Sequence, residues 1–138
     1  MGTNDERAGD LMNNRELIIS AAGSRYAEKW PKQKIWWTDF IEKLKNPVQS
    51  LETLAEFLKM PKAQQDNLKD VGGYVGGSLK DDRRLGNNVI SRDIISLDLD
   101  NIPSGGTKAA LQKISILGCA YAVYSTRKHE EIRPRLRV

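Results

Sequence analysis

Two aspartates at the end of an alternating segment have the spacing needed to share a divalent cation. From Ile95 the chain alternates apolar and polar residues, and Asp98 and Asp100 fall on the polar side. Residues two apart on a strand lie roughly 6–7 Å from each other on one face. Mg²⁺ or Mn²⁺ would relieve the repulsion between the two carboxylates. The pattern predicts a strand from Ile94 to Asp100 whose apolar side packs on a core and whose acidic side holds metal. The alternative is an ordinary exposed strand end carrying two surface acids.

A basic segment near residue 129 has the side chains needed to bind phosphate. A strand-like run, Cys119–Tyr124, leads into the sequence Ser125-Thr126-Arg127-Lys128-His129, which contains the chain's one histidine. Hydroxyls, cations and an imidazole donate hydrogen bonds to phosphate oxygens and balance their charge. Three arginines then recur at period two and would share a face if extended: Arg133, Arg135 and Arg137. With the acidic pair, these are the parts needed for metal-assisted nucleotidyl transfer. The alternative is a solvated basic tail with a surface histidine.

The order of these motifs resembles that of the archaeo-eukaryotic primase superfamily. A hydrophobic-Asp-x-Asp strand, a helix, and a strand ending in Ser-Thr-x-Lys-His are followed by Arg-Pro-Arg-x-Arg. Over about residues 15–138 the chain is most similar to primase-polymerase domains of phage and mobile-element proteins related to virulence-associated protein E. The other matching stretches are Lys69–Leu79, Arg83-Arg84, Trp30, Trp36-Trp37 and Leu51–Phe57.

The resemblance implies a role for each motif. Asp98 and Asp100 would hold the catalytic Mg²⁺ or Mn²⁺ ions, and His129 would contact the triphosphate of an incoming nucleotide, with Ser125 and Lys128 beside it. These domains carry a third acidic motif on a later strand, and no residue up to position 138 can be assigned to it. We therefore expect the N-terminal part of a catalytic domain, truncated before that motif.

Other cations are candidates for contacts with nucleic-acid phosphates. Arg135 and Arg137 are expected to add contacts to the nucleotide, and Arg133 to the template. Lys80, Arg83 and Arg84 could also touch template phosphates, although two intervening aspartates partly cancel their field. The preceding glycine repeat, residues 72–77, permits close backbone approach to a nucleic acid or nucleotide. The alternative for the repeat is a strand flanked by turns.

The order of elements predicts an α/β fold. A strand is expected over Glu16–Ala22, with helix as the alternative. Helices are expected over Ile35–Lys45, Leu51–Lys59 (capped by Ser50 or Thr53), Pro61–Leu68 and Thr107–Leu117. The tryptophans are interpreted as core residues rather than base-stacking platforms. The resemblance implies a partial RNA-recognition-like primase core, with a mixed sheet, helices on one face and an N-terminal helical segment. Residues 1–14 are expected to be a disordered tail, and residues 15–138 one domain.

Composition narrows the class of protein. The 138 residues carry a net charge of +4, and the pI near 9.2 mildly favours an anionic partner. No apolar run approaches the roughly 20 residues that span a bilayer, and no signal-peptide core is visible, so a cytoplasmic location in a bacterial host is expected. One histidine and one cysteine exclude a zinc constellation and an internal disulfide, and Cys119 is expected to be buried.

The resemblance, together with the acidic pair and the basic segment, predicts a DNA primase-polymerase module, here its N-terminal part, that uses nucleoside triphosphates and a DNA template. The alternative is a catalytically inactive, truncated primase-like protein that binds nucleic acid or a protein, such as a replication helicase or a host factor. A metal-dependent nuclease shares the same carboxylate logic, but the basic histidine segment suits a triphosphate better.

Overall fold

The computed structural model describes residues 14–138, so the predicted disordered tail lies, except for Asn14, outside the described residues. In chain order the elements are β1 (Glu16–Ala22), β2 (Lys32–Trp36), α1 (Trp37–Lys45), α2 (Leu54–Lys59), α3 (Lys62–Lys69), β3 (Gly73–Val75), two 3₁₀ turns (Lys80–Asp82 and Gly86–Asn88), β4 (Asp98–Leu99), α4 (Thr107–Ile114), β5 (Tyr124–Ser125) and β6 (Leu136–Arg137). The predicted α/β class is confirmed. Two small antiparallel sheets replace the single mixed sheet that was expected.

The described residues form two compact units. The first unit comprises residues 14–50 and 62–95, and the second comprises residues 51–61 and 96–138. Each unit has its own three-stranded sheet, in the order β2-β1-β3 in the first and β4-β6-β5 in the second.

The core of the first unit lies on one face of its sheet. The buried residues that form it are Leu17, Ile19, Ile35 and Phe40. Phe40 meets Tyr74 of β3 edge to face, with ring centroids 5.1 Å apart, which is a favoured aromatic geometry. The alternation of Leu17 and Ile19 is the period of a strand with one buried face, so the strand prediction for β1 is confirmed.

Helix α1 begins two residues later than its apolar pattern predicts. Ile35 is still extended, because its backbone pairs with Leu17 across β1 and β2. Trp36 ends the strand and is 47% exposed, whereas Trp37 packs against the core. Trp30 is buried, at 2% exposure. The core interpretation therefore holds for Trp30 and Trp37 and is wrong for Trp36.

Helix α2 begins at Leu54 because Thr53 caps it. The Thr53 side chain accepts a hydrogen bond from the Glu56 backbone, and the Glu56 carboxylate accepts one from the Thr53 backbone. This reciprocal capping box satisfies two amide groups at the helix start. The predicted start at Leu51 is wrong, because the helix begins three residues later and Leu51 lies before its cap, fully exposed. Helix α3 follows its prediction to within one residue at each end.

The glycine repeat approaches the chain's own backbone. A Cβ at Gly76 would overlap Ile94, and one at Gly77 would overlap the backbone oxygen of Ser91. The Gly76 oxygen also accepts hydrogen bonds from the amides of Asp93 and Ile94, at 2.7 and 2.9 Å. These contacts give the second glycine pair a structural role within the first unit.

In the second unit, β6 lies between β4 and β5 and is antiparallel to both. The two outer strands therefore run parallel to each other, with α4 connecting them, but they are not hydrogen-bonded neighbours. The predicted strand over Ile94–Asp100 is wrong in length, because regular strand pairing covers just β4, with Leu97 and Val138 exchanging backbone hydrogen bonds beside it.

The apolar side of β4 faces a groove rather than a packed core. Leu97 is half-exposed and Ile95 is largely exposed. A groove of about 650 Å³ is lined by Leu97, Leu99, Ile114 and Leu117, among others. The expectation that this side of the acidic strand packs on a core is therefore wrong.

Cys119 is exposed, which corrects the expectation that it is buried. Helix α4 ends at Ile114, and the chain then turns at Gly118, whose φ is +68°. The strand predicted over Cys119–Tyr124 is reduced to β5, so Cys119 lies in an irregular exposed segment.

Candidate metal and nucleotide site

The central position of β6 places acids and arginines on one face of the second sheet. Asp98 lies opposite Arg137, and the next pair along the strands is Asp100 and Arg135, which form an ion pair at 3.8 Å. Leu136 lies between the two arginines in sequence, and its side chain is buried. Because strand side chains alternate, the two acids and two arginines share a face. We call Asp98, Asp100, Arg135 and Arg137 the acid–arginine face.

Asp98 and Arg137 form a two-point ion pair. Arg137 Nε donates to Asp98 Oδ1 at 2.5 Å, and Nη2 donates to Oδ2 at 3.3 Å. These hydrogen bonds hold the pKa of Asp98 below its ordinary value. The pKa of Arg137 is raised, first by Asp98 and then by the Tyr124 side chain across β5 and β6. Both groups are therefore charged at neutral pH.

His129 is fixed by a hydrogen bond to the strand that carries the arginines. Its Nδ1 accepts from the backbone N–H of Arg135 at 3.0 Å, and its own backbone N–H donates to Thr126 at 2.9 Å. A neutral imidazole that accepts at Nδ1 carries its proton on Nε2. His129 thus has one ring N–H left to donate to a ligand.

Other predicted nucleotide contacts are directed elsewhere in the second unit. Ser125 pairs with Leu136, so alternation places its side chain on the face opposite the acids. Lys128 Nζ lies 6.0 Å from the ring centroid of Phe57 in α2. Arg127 lies over the same ring at 4.3 Å and forms an ion pair with Glu52.

The cations predicted to contact the template lie in different structural environments. Arg133 lies in a tight turn, exchanging backbone hydrogen bonds with Glu130, so it does not continue the row of Arg135 and Arg137. Lys80, Arg83 and Arg84 are exposed in the first unit. The structure therefore brings together Asp98, Asp100, Arg135, Arg137 and, through its backbone contact, His129.

The cross-strand pairing and Tyr124 were missed by reasoning from the sequence. A signal for the pairing exists: Asp98-x-Asp100 and Arg135-x-Arg137 have the same spacing and opposite charge. Opposite charges directly across an antiparallel pair stabilise it. Matching the two motifs would have predicted that β4 and β6 are neighbours.

The two carboxylates of the acid–arginine face make up only part of a metal coordination sphere. Within residues 14–138 there is no group of three His, Cys, Asp or Glu side chains placed to hold a metal. Mg²⁺ commonly uses one or two carboxylates and completes its octahedron with water and substrate phosphates. Asp98 and Asp100 supply two such carboxylates, and in this structure each is paired with an arginine.

Comparison with known proteins supplies the family. The model of the VapE N-terminal domain matches residues 3–138. Neither a curated protein nor a solved structure matches the chain. Among residues 14–138, no helix has the length and apolar character needed to cross a membrane. Since the family model spans nearly the whole sequence, the chain belongs to the VapE N-terminal domain family.

Proposed function

We propose that the chain is the N-terminal part of a primase-polymerase module and that its acid–arginine face binds a nucleoside triphosphate together with Mg²⁺ or Mn²⁺. The observation that carries the proposal is the ordered pairing of two carboxylates with two guanidinium groups on one sheet face. Membership of the VapE N-terminal domain family supports a phage or mobile-element setting for this activity.

Binding would exchange the partners of each ion pair. Guanidinium groups bind phosphate oxygens bidentately, and carboxylates are ligands for Mg²⁺. A metal–triphosphate complex offers both partners at once, so every charge on the face stays compensated. A cation alone would leave two arginines unpaired, and a triphosphate alone would meet two carboxylates. Metal and nucleotide should therefore bind cooperatively.

The ion pairs are weak enough to be exchanged. The side chains of Arg137 and Asp98 are 42% and 55% exposed, and ion pairs at such exposure contribute about 0–1 kcal/mol. A bound divalent cation would supply charge neutralisation for phosphoryl transfer. His129 would donate its Nε2 proton to a phosphate oxygen, and the arginines would orient the triphosphate.

A second candidate function is binding of nucleic acid or of a protein partner, such as a helicase or host factor, without catalysis. The two-point bond between Asp98 and Arg137 favours it, because a satisfied ion pair also serves as a purely structural element. In that case the face would hold the sheet together and bind no metal.

Calorimetric titrations with Mn²⁺ alone, dATP alone in EDTA, and both together test the proposal. We expect the mixture to bind at least about 5-fold more tightly than either component, which corresponds to roughly 1 kcal/mol of coupling. Asp98→Asn/Asp100→Asn should abolish the coupling. Asp81→Asn/Asp82→Asn is the matched control: it removes two acids from a turn of the first unit, at a φ of 55° that asparagine tolerates.

Primer synthesis on a single-stranded template with Mn²⁺ separates the two candidates. Synthesis that is lost on Asp98→Asn/Asp100→Asn supports the enzyme. Cooperative binding without synthesis supports a nucleotide-binding module that needs further residues. Binding of Mn²⁺–dATP that survives the double substitution would refute the role of the acid–arginine face.

A further inference from the structure

We propose that a surface of the first unit binds single-stranded nucleic acid, with Tyr26 as the stacking platform for a base. The surface consists of the 24–31 loop, which joins β1 to β2, and the 80–84 turn, which includes the first 3₁₀ turn. It lies wholly within the first unit. The inference does not depend on the acid–arginine face.

The loop and the turn form one surface because three contacts join them. The Trp30 backbone N–H donates to the Asp82 oxygen at 2.7 Å, and Lys29 Nζ donates to the Asp81 oxygen at 2.9 Å. The Arg84 guanidinium lies 4.8 Å from the centroid of the Trp30 ring. Trp30 is buried, so it anchors the surface and is not itself open to a base.

Tyr26 is held in place and exposed. Its side chain is 72% exposed, and the Arg25 guanidinium lies 4.7 Å from the ring centroid and donates to its hydroxyl at 2.6 Å. Asp70 fixes the loop by accepting from the Ser24 hydroxyl at 2.6 Å and from the Arg25 amide at 2.7 Å. An aromatic ring supported by arginine is the arrangement on which unpaired bases stack.

The charge of this surface suits a phosphate backbone. Five exposed cations come from the loop and the turn: Arg25, Lys29, Lys80, Arg83 and Arg84. Four acids oppose them: Glu28, Asp81 and Asp82 in the same segments, and Asp70, which contacts the loop. The excess is positive, and the cations flank the exposed ring in sequence and through the contacts above. A duplex keeps its bases stacked and offers none to Tyr26, so the surface favours a single strand.

Two consecutive left-handed residues shape the 80–84 turn. Asp81 and Asp82 are both left-handed, each with φ of 55°, a conformation that Asp and Asn adopt more readily than most other residues with a side chain. Their carbonyl oxygens accept hydrogen bonds from Lys29 and Trp30, which stabilises the turn.

Fluorescence anisotropy of a labelled 20-nucleotide oligothymidine, with the full chain, tests the proposal. Tyr26→Ala should weaken binding by about 5-fold or more, because one base loses its stacking partner. Tyr26→Trp should bind as tightly as the original chain. Tyr26→Ala and the original chain should bind an abasic oligonucleotide of equal length with the same affinity, because it offers no base to stack. Lys80→Gln/Arg83→Gln should reduce the slope of log affinity against log salt by about 0.7 per charge removed.

Two controls keep the outcomes distinct. Lys43→Gln/Lys45→Gln removes two exposed charges from α1 and should leave binding unchanged. Saturating Mn²⁺–dATP should not displace the oligonucleotide, which separates this surface from the proposed metal–nucleotide site. Three results would overturn the proposal. Tyr26→Ala could bind the oligonucleotide as tightly as the original chain, or the α1 control could lose as much affinity as Lys80→Gln/Arg83→Gln. The third is that a blunt duplex binds as tightly as the single strand.

Discussion

Replacing Arg137 with glutamine should change metal binding and triphosphate binding in opposite directions. The substitution removes the two-point hydrogen bond to Asp98 and frees that carboxylate. Since the pair is about half exposed, it contributes at most about 1 kcal/mol. Mn²⁺ should therefore bind up to about 5-fold more tightly to Arg137→Gln.

The same substitution removes a proposed phosphate ligand. A hydrogen bond to a charged group contributes roughly 1.5–3 kcal/mol, so metal-free dATP should bind at least about 10-fold more weakly. If Arg137 has a purely structural role, the two affinities should not change in opposite directions, because a disturbed sheet would weaken the binding of both ligands. The pair of measurements thus distinguishes an exchangeable ion pair from a structural one.

Mn²⁺ binding is measured by electron paramagnetic resonance at pH 7, and dATP binding by calorimetry in EDTA. At this pH Asp98 is ionised in both proteins, because Arg137 lowers its pKa and loss of Arg137 returns the pKa toward its ordinary value near 4. Lys108→Gln, which removes one exposed charge from α4, is the control and should change neither affinity. Weaker Mn²⁺ binding to Arg137→Gln, or unchanged binding of both ligands, would refute the exchange.

Gly77→Ala should lower the free energy of unfolding by roughly 3 kcal/mol or more, because a methyl group would overlap a backbone oxygen. Gly86→Ala, with open space around the position, should stay within about 0.5 kcal/mol; similar urea midpoints for the two variants would contradict the close approach. Stability should also fall in acid. Hydrogen bonds from Ser24 and the Arg25 backbone lower the pKa of Asp70, so its contribution is complete above the unfolded pKa near 3.9 and is lost as pH falls through the folded pKa. The Tm at pH 3 should lie below that at pH 6, by a smaller margin in Asp70→Asn; an equal margin would exclude this carboxylate as a source.

Local patterns predicted the elements whose stability is local. The period of two in β1 indicated a strand. The short helix α3 was predicted from the proline at its start. Thr53 was one of two proposed caps for α2, and the capping box selects it. The start of α1 was not predictable, because Ile35 can complete either a helical stripe or a strand until its partner Leu17 is known.

The candidate site was predicted as a set of residue types, not as a set of contacts. Alternation correctly placed Asp98 and Asp100 on one side of a strand, and Arg135 and Arg137 on one side of another. It could not show that β6 lies between β4 and β5, since that pairing joins residues 39 positions apart. The prediction of a packed core behind the acidic strand was wrong for the same reason, because what covers Leu97 depends on where α4 packs.

The amino-acid sequence alone determined the α/β class, the family likeness and the face on which each charged residue of a strand must lie, because backbone geometry fixes side-chain direction within a strand. The tertiary structure decided which strands meet, and therefore that each acid of the pair faces an arginine. It also decided that the loop of Tyr26 meets a basic turn, through a contact between residues 52 positions apart. Register between distant segments depends on the burial and hydrogen bonding of the whole sheet, which no single segment contains.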